Sequence, residues 1–133
     1  MLRGIATINL YATHHTEAVK RYSQYLNTEP YFNVPGYSEF RLGDFQAELG
    51  IVENKHAPKN ISEKPAGITA YWHVDNLQAA VEKALEMGAT MFDPITPRGD
   101  SGFVTAAVTD PFGNILGLMY NPHYLEMVKK KTD

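Results

Sequence analysis

The chain has 133 residues, of which 44% are hydrophobic and 20% charged, and its net charge is −3. This composition is typical of a globular domain with a genuine core, and it excludes a disordered tail or linker. No basic stripe exists beyond the run Lys129–Lys131, so nucleic acid is not an expected partner. Without cysteine, a signal segment or a long apolar run, we expect a cytoplasmic protein that does not interact with a membrane.

The first half of the chain predicts a β-α-β-β-β order, with Thr13 or Thr16 as the helix N-cap and Asn27 at the helix end. Two pairs of turn-forming residues, Pro35-Gly36 and Gly43-Asp44, separate the later strands. The predicted elements are a strand at 5–11, an amphipathic helix ending at residue 26, and strands at 31–34, 37–42 and 45–53.

The second half repeats this order after a proline- and lysine-containing connector at 55–67. Asp75 or Asn76 is the predicted N-cap of its helix, and Gly88 is the predicted C-cap. Its predicted elements are a strand at 68–74, a helix over 77–85, and strands at 90–95, 103–109 and 114–121. We therefore predict one domain over 1–133, with module one at 1–54, module two at 68–121 and a helical tail at 122–133.

An internal repeat supports the two modules. Thr7, Ala18-Val19 and Thr28 recur as Thr69, Ala80-Val81 and Thr90, at a constant offset of 62 in the numbering (69 − 7). Near the end of each half, the segment 49–54 matches the segment 116–121 at an offset of 67 (116 − 49). The difference between the two offsets predicts five additional residues in the second half. The segment 94–102 is their expected position.

Paired modules of this kind predict an α+β fold, with a curved mixed sheet that has helices on its outer face and a cleft on its inner face. Successive residues of a strand point to opposite faces, so alternation sorts the side chains. The residues assigned to the helix face are Ala6, Ile8, Leu10, Leu49 and Ile51 in module one, and Ile68, Ala70, Trp72, Val74, Leu116, Leu118 and Tyr120 in module two. The inner face then carries Thr7, Asn9, Tyr11, Thr69, Tyr71 and His73 from the opening strands, and Gln46, Glu48, Gly50, Val52, Ile115, Gly117, Met119 and Asn121 from the closing strands.

This inner face suits a small, partly apolar ligand. Thr7, Asn9, Tyr11, Thr69, Tyr71 and Met119 are the predicted ligand-binding residues. His73 is a candidate general base or ligand-orienting group, and a hydrogen-bonded structural histidine is the alternative. Glu48 is a candidate catalytic residue that raises the basicity of His73 or binds a donor group of the ligand. An ion pair with Arg41 or a solvated strand end is the alternative. The remaining histidines, at 14, 15, 56 and 123, are predicted to lie on the surface.

Two segments resemble the vicinal oxygen chelate superfamily, which includes glyoxalase I, extradiol dioxygenases and bleomycin-resistance proteins. One is Tyr71-Trp72-His73-Val74-Asp75-Asn76 before a helix that ends at Gly88-Ala89, and the other is Thr109-Asp110-Pro111-Phe112-Gly113-Asn114 before the last strand. Together with the paired layout, the resemblance covers nearly the whole chain. It implies a homodimer that binds a small molecule, with the cleft formed either within one chain or between modules of two chains.

The resemblance also implies where metal ligands would stand, at Thr7, Thr69, Gly117 and either Glu48 or Gly50. Threonine and glycine do not replace the imidazoles and carboxylates that hold such ions, so no metal and no other cofactor is predicted. The reaction is left unassigned. The alternative is a divalent-metal-dependent lyase or dioxygenase with relocated ligands, using His73 with Glu48.

Overall fold

The structure, a computed structural model, describes residues 1–59 and 64–132. Residues 60–63 of the predicted connector and residue 133 of the predicted tail therefore lie outside the described residues. Backbone contacts divide the chain into two compact units: Met1–Lys64 with Phe112–Asn114, and Pro65–Pro111 with Ile115–Asp133. The two units are described in turn.

The first unit contains a four-stranded mixed sheet and one long helix. The sheet order is β1-β4-β3-β2, with β1 parallel to β4 and the other pairs antiparallel. A short 3-10 helix, Asn54–His56, follows the last strand. The elements are β1 (Thr7–Ala12), α1 (His15–Leu26), β2 (Phe32–Val34), β3 (Tyr37–Leu42) and β4 (Ala47–Glu53).

The core of this unit lies between α1 and one face of the sheet. Helix α1 packs on β4 and buries Ala18 and Tyr22. The strands contribute side chains that are no more than 8% exposed: Leu10, Phe40, Leu49 and Ile51. The predicted helix face of the first module is thus confirmed at Leu10, Leu49 and Ile51.

The second unit repeats this topology with the sheet order β5-β8-β7-β6, and β5 runs parallel to β8. Helix α2 packs on β6, β7 and β8, and its buried residues are Leu77, Val81, Ala84 and Met87. The elements are β5 (Tyr71–His73), α2 (Leu77–Met87), β6 (Thr90–Pro97), β7 (Val104–Thr109), β8 (Ile115–Tyr120) and α3 (Pro122–Thr132). Within the described residues, no helix is both long and apolar enough to span a bilayer.

The element boundaries reproduce both offsets of the sequence repeat. The starts of α1 and α2 are offset by 62 (77 − 15), and the starts of β3 and β7 are offset by 67 (104 − 37). Edge strand β6 is five residues longer than its counterpart β2 (8 − 3), and its pairing with β7 has two register shifts. The connection after the edge strand is also longer, with residues 98–103 in place of 35–36. The extra length that separates the two offsets therefore lies in the irregular edge strand together with the loop that follows it. The α+β fold of two βαβββ modules is confirmed.

Three local predictions are wrong. Helix α1 begins at His15 with His14 at its N-cap and no side-chain cap, because Thr13 lies one residue before the cap position and Thr16 lies inside the helix. The Thr13 hydroxyl accepts a hydrogen bond from Asn54 at 2.9 Å. Strand β4 begins at Ala47, because Gln46 lies in a left-handed turn with φ 52°. The strand predicted at 68–74 shrinks to Tyr71–His73, and Ile68 is 94% exposed, because the register with β8 leaves no partner strand opposite residue 68.

Other cap predictions are confirmed. Asn76 caps α2 by accepting a hydrogen bond from the Ala79 N–H at 3.0 Å, and Gly88 ends it in the left-handed conformation. Asn27 ends α1 with φ 53°.

Candidate functional site

One face of the first sheet carries most of its polar side chains, and we call it the polar face. The register pairs Thr7 with Glu48 and Asn9 with Gly50 across β1 and β4. The same two β4 residues pair with Arg41 and Glu39 of β3, so all six positions lie on one side of the sheet. Helix α1 packs on the opposite side. The polar face comprises Thr7, Asn9, Tyr11, Tyr37, Glu39, Arg41, Glu48, Gly50 and Val52.

Glu48 lies at the centre of contacts on this face. Its Oε1 atom accepts a hydrogen bond from the Thr7 hydroxyl at 2.9 Å. Its Oε2 atom lies 3.9 Å from Arg41 Nη2, too far for a hydrogen bond, and the Glu48 side chain is 30% exposed. The predicted ion pair with Arg41 is therefore present as a loose contact, and the outer carboxylate oxygen keeps capacity for a further donor.

Glu39 and Arg41 continue the network along β3. Tyr37 donates its hydroxyl hydrogen to Glu39 Oε1 at 2.8 Å, and Glu39 Oε2 lies 3.9 Å from Arg41 Nε. The Arg41 guanidinium also lies 3.7 Å from the centroid of the Tyr31 ring. Arg41 is thus held by one aromatic face and two distant carboxylates, an arrangement that leaves its N–H groups able to bind an acceptor.

Gly50 allows Asn9 and Tyr37 to approach each other across β4. A Cβ atom at this position would overlap Asn9 Oδ1 and would lie 2.9 Å from Tyr37 Cε1. The absence of a side chain is therefore needed to fit two polar side chains from neighbouring strands over the middle strand.

Tyr37 makes the polar face sensitive to alkaline pH. Burial, with smaller contributions from the hydrogen bond to Glu39 and from the Glu39 and Glu48 charges, raises the pKa of Tyr37 to about 12. A raised pKa in the folded state means that the stabilisation is complete below about pH 10 and is lost as the pH rises towards about 12. Burial raises the pKa of Tyr25 to about 12 as well.

We therefore expect Tyr37→Phe to remove one late-titrating tyrosine and to flatten the loss of stability between about pH 10 and 12. Tyrosinate absorbance and urea unfolding at several pH values measure the two effects. Tyr25→Phe is the control that removes a late titration without touching the polar face. If Tyr37→Phe instead removes a phenol that titrates at the ordinary tyrosine value near pH 10, the raised pKa of Tyr37 is wrong.

His73, the sharpest candidate from the sequence, lies beneath α3 in the second unit. Its Nδ1 atom accepts a hydrogen bond from the Asn121 N–H at 3.0 Å, and its ring stacks on Tyr124 at a centroid distance of 4.8 Å. Its side chain is 7% exposed, and Nε2 lies 3.5 Å from Asp75 Oδ1. Within the described residues Nε2 has no hydrogen-bond partner. These contacts favour the structural interpretation of this histidine.

The other predicted residues of the second module lie near β8. Tyr71 is 40% exposed and pairs with Gly117, while Met119 is half-buried and its sulfur accepts from Asn121 Nδ2 at 3.4 Å. Thr69 is half-buried and precedes β5. Tyr11, in the first unit, is half-buried and bonded through its backbone to the Asn114 side chain.

The residues at the positions where the resemblance implies metal ligands do not suit a metal ion. The Thr7 hydroxyl is committed to Glu48, and the space of a Gly117 side chain is filled by the Ala70 carbonyl oxygen and the Tyr71 ring, which would lie 2.6 and 2.7 Å from a Cβ atom. Across the described part of the chain, no three His, Asp or Glu side chains are grouped so that they could hold an ion. The relocated pair also has other contacts, since His73 bonds Asn121 and Glu48 bonds Thr7.

Sequence reasoning missed Tyr37 and Glu39 and treated Arg41 only as a counterion. The alternation of 37–42 was a usable signal, but assigning its face required the register with β4. His15 was also misplaced: it is half-buried at the start of α1, with Nε2 3.2 Å from the buried Ser38 hydroxyl, which also bonds Asn33. Ser38 is 0% exposed, so this cluster pins α1 to β3 and presents no nucleophile to solvent.

Comparison with known proteins agrees with this architecture. Residues 4–118 match the model of the Glyoxalase/Bleomycin resistance protein/Dioxygenase superfamily. No curated protein sequence matches the chain. The protein therefore belongs to the glyoxalase/bleomycin resistance/dioxygenase superfamily.

Solved structures share the fold at low sequence identity. A glyoxalase-related enzyme from Fulvimarina pelagi is 17% identical, with a TM-score of 0.72 and coverage of 91% of this chain and 90% of that one. A glyoxalase/bleomycin resistance protein from Catenulispora acidiphila is 20% identical, with a TM-score of 0.63 and coverage of 90% and 100%. A glyoxalase/bleomycin resistance/dioxygenase family enzyme from Burkholderia phytofirmans is 14% identical, with a TM-score of 0.63 and coverage of 87% and 97%. At these identities the similarity extends to the fold alone.

Proposed function

We propose that this protein binds a small, partly apolar molecule on the polar face of the first sheet, without a divalent metal ion. The observation that carries the proposal is the linked set Thr7–Glu48–Arg41–Glu39–Tyr37, in which two carboxylates and one guanidinium share a single sheet face. The glutamates are only partly buried, and Arg41 lies beyond hydrogen-bond distance from both.

The same contacts indicate what such a ligand needs. A donor on the ligand would meet the outer oxygen of Glu48, and an acceptor would meet the Arg41 N–H groups. Apolar parts of the ligand would lie against the tyrosine rings of the polar face. Charge-assisted bonds of this kind are worth about 1.5–3 kcal/mol, or roughly ten- to a hundredfold in Kd.

A ligand screen by NMR with the metal-free protein tests this proposal. Glu48→Gln, which keeps size and the acceptor for Thr7 but removes the charge, is expected to weaken the best-binding compounds roughly ten- to a hundredfold. Glu17→Gln is the matched control, because Glu17 pairs with Arg21 on the exposed side of α1. Compounds that bind wild type and Glu48→Gln equally would place the site elsewhere.

The alternative is a metal-dependent lyase or dioxygenase with relocated ligands. Elemental analysis after dialysis discriminates between the two: near-stoichiometric metal that is retained by wild type and lost in Glu48→Gln overturns the metal-free proposal. Product formation during the screen would add a reaction to the binding function. We further propose the homodimer implied by the superfamily, which sedimentation of the same samples tests.

A further inference from the structure

The polar face continues into exposed apolar side chains on the edge strand β2. Phe32 pairs with Glu39 across β2 and β3, and Val34 pairs with Tyr37. Residues that pair directly lie on the same side of a sheet, so Phe32 and Val34 belong to the side that carries the polar face. Phe32 is 48% exposed and Val34 is 42% exposed, and the Phe32 ring lies 6.3 Å from the Tyr37 ring. Charged groups and accessible apolar surface therefore lie side by side on one face of the first sheet.

Arg41 shows that this face accommodates a positive charge. Its guanidinium lies 3.7 Å from the centroid of the Tyr31 ring, which belongs to a side chain that is exposed. Its nitrogen atoms lie 3.9 Å from one oxygen of Glu39 and from one oxygen of Glu48. Aromatic rings and carboxylates are the groups that bind ammonium and guanidinium ions in proteins. Because Arg41 is too far from both carboxylates for a hydrogen bond, these oxygens keep the capacity to accept from a second cation.

The charges of the polar face do not balance. Its two carboxylates, Glu39 and Glu48, are accompanied by one guanidinium, that of Arg41, which leaves a formal charge of −1 (1 − 2). The Tyr37 hydroxyl experiences a field of this sign, because the charges of Glu39 and Glu48 add to burial and to the Glu39 hydrogen bond in raising its pKa to about 12. A ligand with one positive charge neutralises this excess, whereas an anion increases it.

We propose that the polar face selects small aromatic cations, molecules in which a flat ring is joined by a short chain to an ammonium group. This inference rests on the binding function proposed above and adds the class of ligand. The ammonium group would bind the outer oxygen of Glu48, and the ring would lie against Phe32. Neighbouring strands are about 4.8 Å apart, so Glu48 on β4 and Phe32 on β2 are roughly 10 Å apart across the sheet. A ring and an ammonium group separated by three carbon atoms suit this distance.

NMR titration of the full chain with three matched probes tests the ligand class. The cation is 3-phenylpropylammonium, the neutral probe is 3-phenylpropanol and the anion is 4-phenylbutyrate, and the backbone amide shifts of the polar face report binding. The cation is expected to bind about tenfold or more tightly than the other two, because a charge-assisted hydrogen bond is stronger than a neutral one. Raising the salt concentration from about 0.05 to about 0.5 M should weaken binding of the cation several-fold and leave that of the neutral probe unchanged.

Two variants are expected to change the affinity for the cation in opposite directions. Glu48→Gln should weaken it roughly ten- to a hundredfold. Arg41→Gln should strengthen it, by up to about fivefold, because it removes a competing positive charge. An anionic ligand would instead lose affinity in Arg41→Gln. Glu17→Gln is the matched control, and it should leave the affinities for all three probes unchanged, because Glu17 pairs with Arg21 on α1.

The possible failures of this inference differ from those of the binding function. If the neutral or the anionic probe binds the polar face as tightly as the cation, or if Arg41→Gln weakens the cation, the ligand class is wrong and the binding function stands. The same holds if the cation shifts no amide of the polar face while other compounds of the ligand screen do. If no compound shifts these amides, both proposals are wrong.

Discussion

Replacing Gly117 with alanine is expected to destabilise the second unit by about 1–3 kcal/mol or more. The added Cβ would lie 2.6 Å from the Ala70 carbonyl oxygen and 2.7 Å from Tyr71 Cδ1. The Ala70 oxygen already accepts the Gly117 N–H at 3.0 Å, so it cannot move away without breaking the pairing of β5 with β8. Urea unfolding measures the change in the free energy of unfolding.

Gly50→Ala provides an informative comparison. There the new Cβ would meet only side chains, those of Asn9 and Tyr37, which have rotamers available to them. We expect Gly50→Ala to lower the free energy of unfolding less than Gly117→Ala does. The double variant Asn9→Ala/Gly50→Ala should recover part of that stability. Gly4→Ala is the control, because nothing lies within 4 Å of its Cβ position. A Gly117→Ala protein as stable as wild type would mean that β5 does not approach β8 this closely.

The second large effect is expected from Asn114→Ala, which should lower the free energy of unfolding by about 1–3 kcal/mol. The Asn114 amide accepts from the Tyr11 N–H at 3.1 Å and donates to the Tyr11 carbonyl at 2.9 Å. Among the strands of the described residues, β1 pairs within its sheet only with β4, so this amide acts in place of a strand at the free edge. Removing it leaves two part-buried backbone groups of Tyr11 without these partners.

Thermal and urea unfolding of three variants test this interpretation. Asn114→Asp keeps the acceptor for the Tyr11 N–H but sets a carboxylate oxygen against the Tyr11 carbonyl oxygen, so its destabilisation should be at least as large as that of Asn114→Ala. Asn54→Ala is the control, because the Asn54 amide donates one exposed hydrogen bond to Thr13. This variant is expected to lower the free energy of unfolding by no more than about 0.5 kcal/mol. Equal stability of Asn114→Ala and Asn54→Ala would show that the two Tyr11 bonds contribute nothing measurable.

Most secondary structure was predictable, because local signals carried it. The amphipathic pattern before residue 26 predicted α1, and Asn76 and Gly88 predicted the ends of α2. The wrong element bounds are those that depend on residues distant in the sequence. The sequence allowed Thr13 to cap α1, but the helix begins at His15 with His14 at its N-cap, and the Thr13 hydroxyl accepts a hydrogen bond from Asn54, 41 residues away.

The same distinction between local and long-range signals applies to the residues of the candidate site. Alternation correctly placed Thr7, Asn9 and Glu48 on one face, because β1 and β4 pair in a register that keeps the alternation of both strands together. It did not assign Tyr37 and Glu39, whose face depends on how β3 aligns with β4. Nor could it show that α3 folds back so that Tyr124 stacks on His73.

The sequence by itself determined the two βαβββ modules, the two offsets that relate them, and the polar character of the first opening strand. These properties follow from periodicity, which each strand or helix carries within itself. Only the tertiary structure decided which polar residues form a network on the polar face and which make hydrogen bonds that hold the fold together. Hydrogen-bond partners such as Thr7 with Glu48, or His73 with Asn121, lie 41 and 48 residues apart, and their pairing depends on register and packing that no local pattern contains.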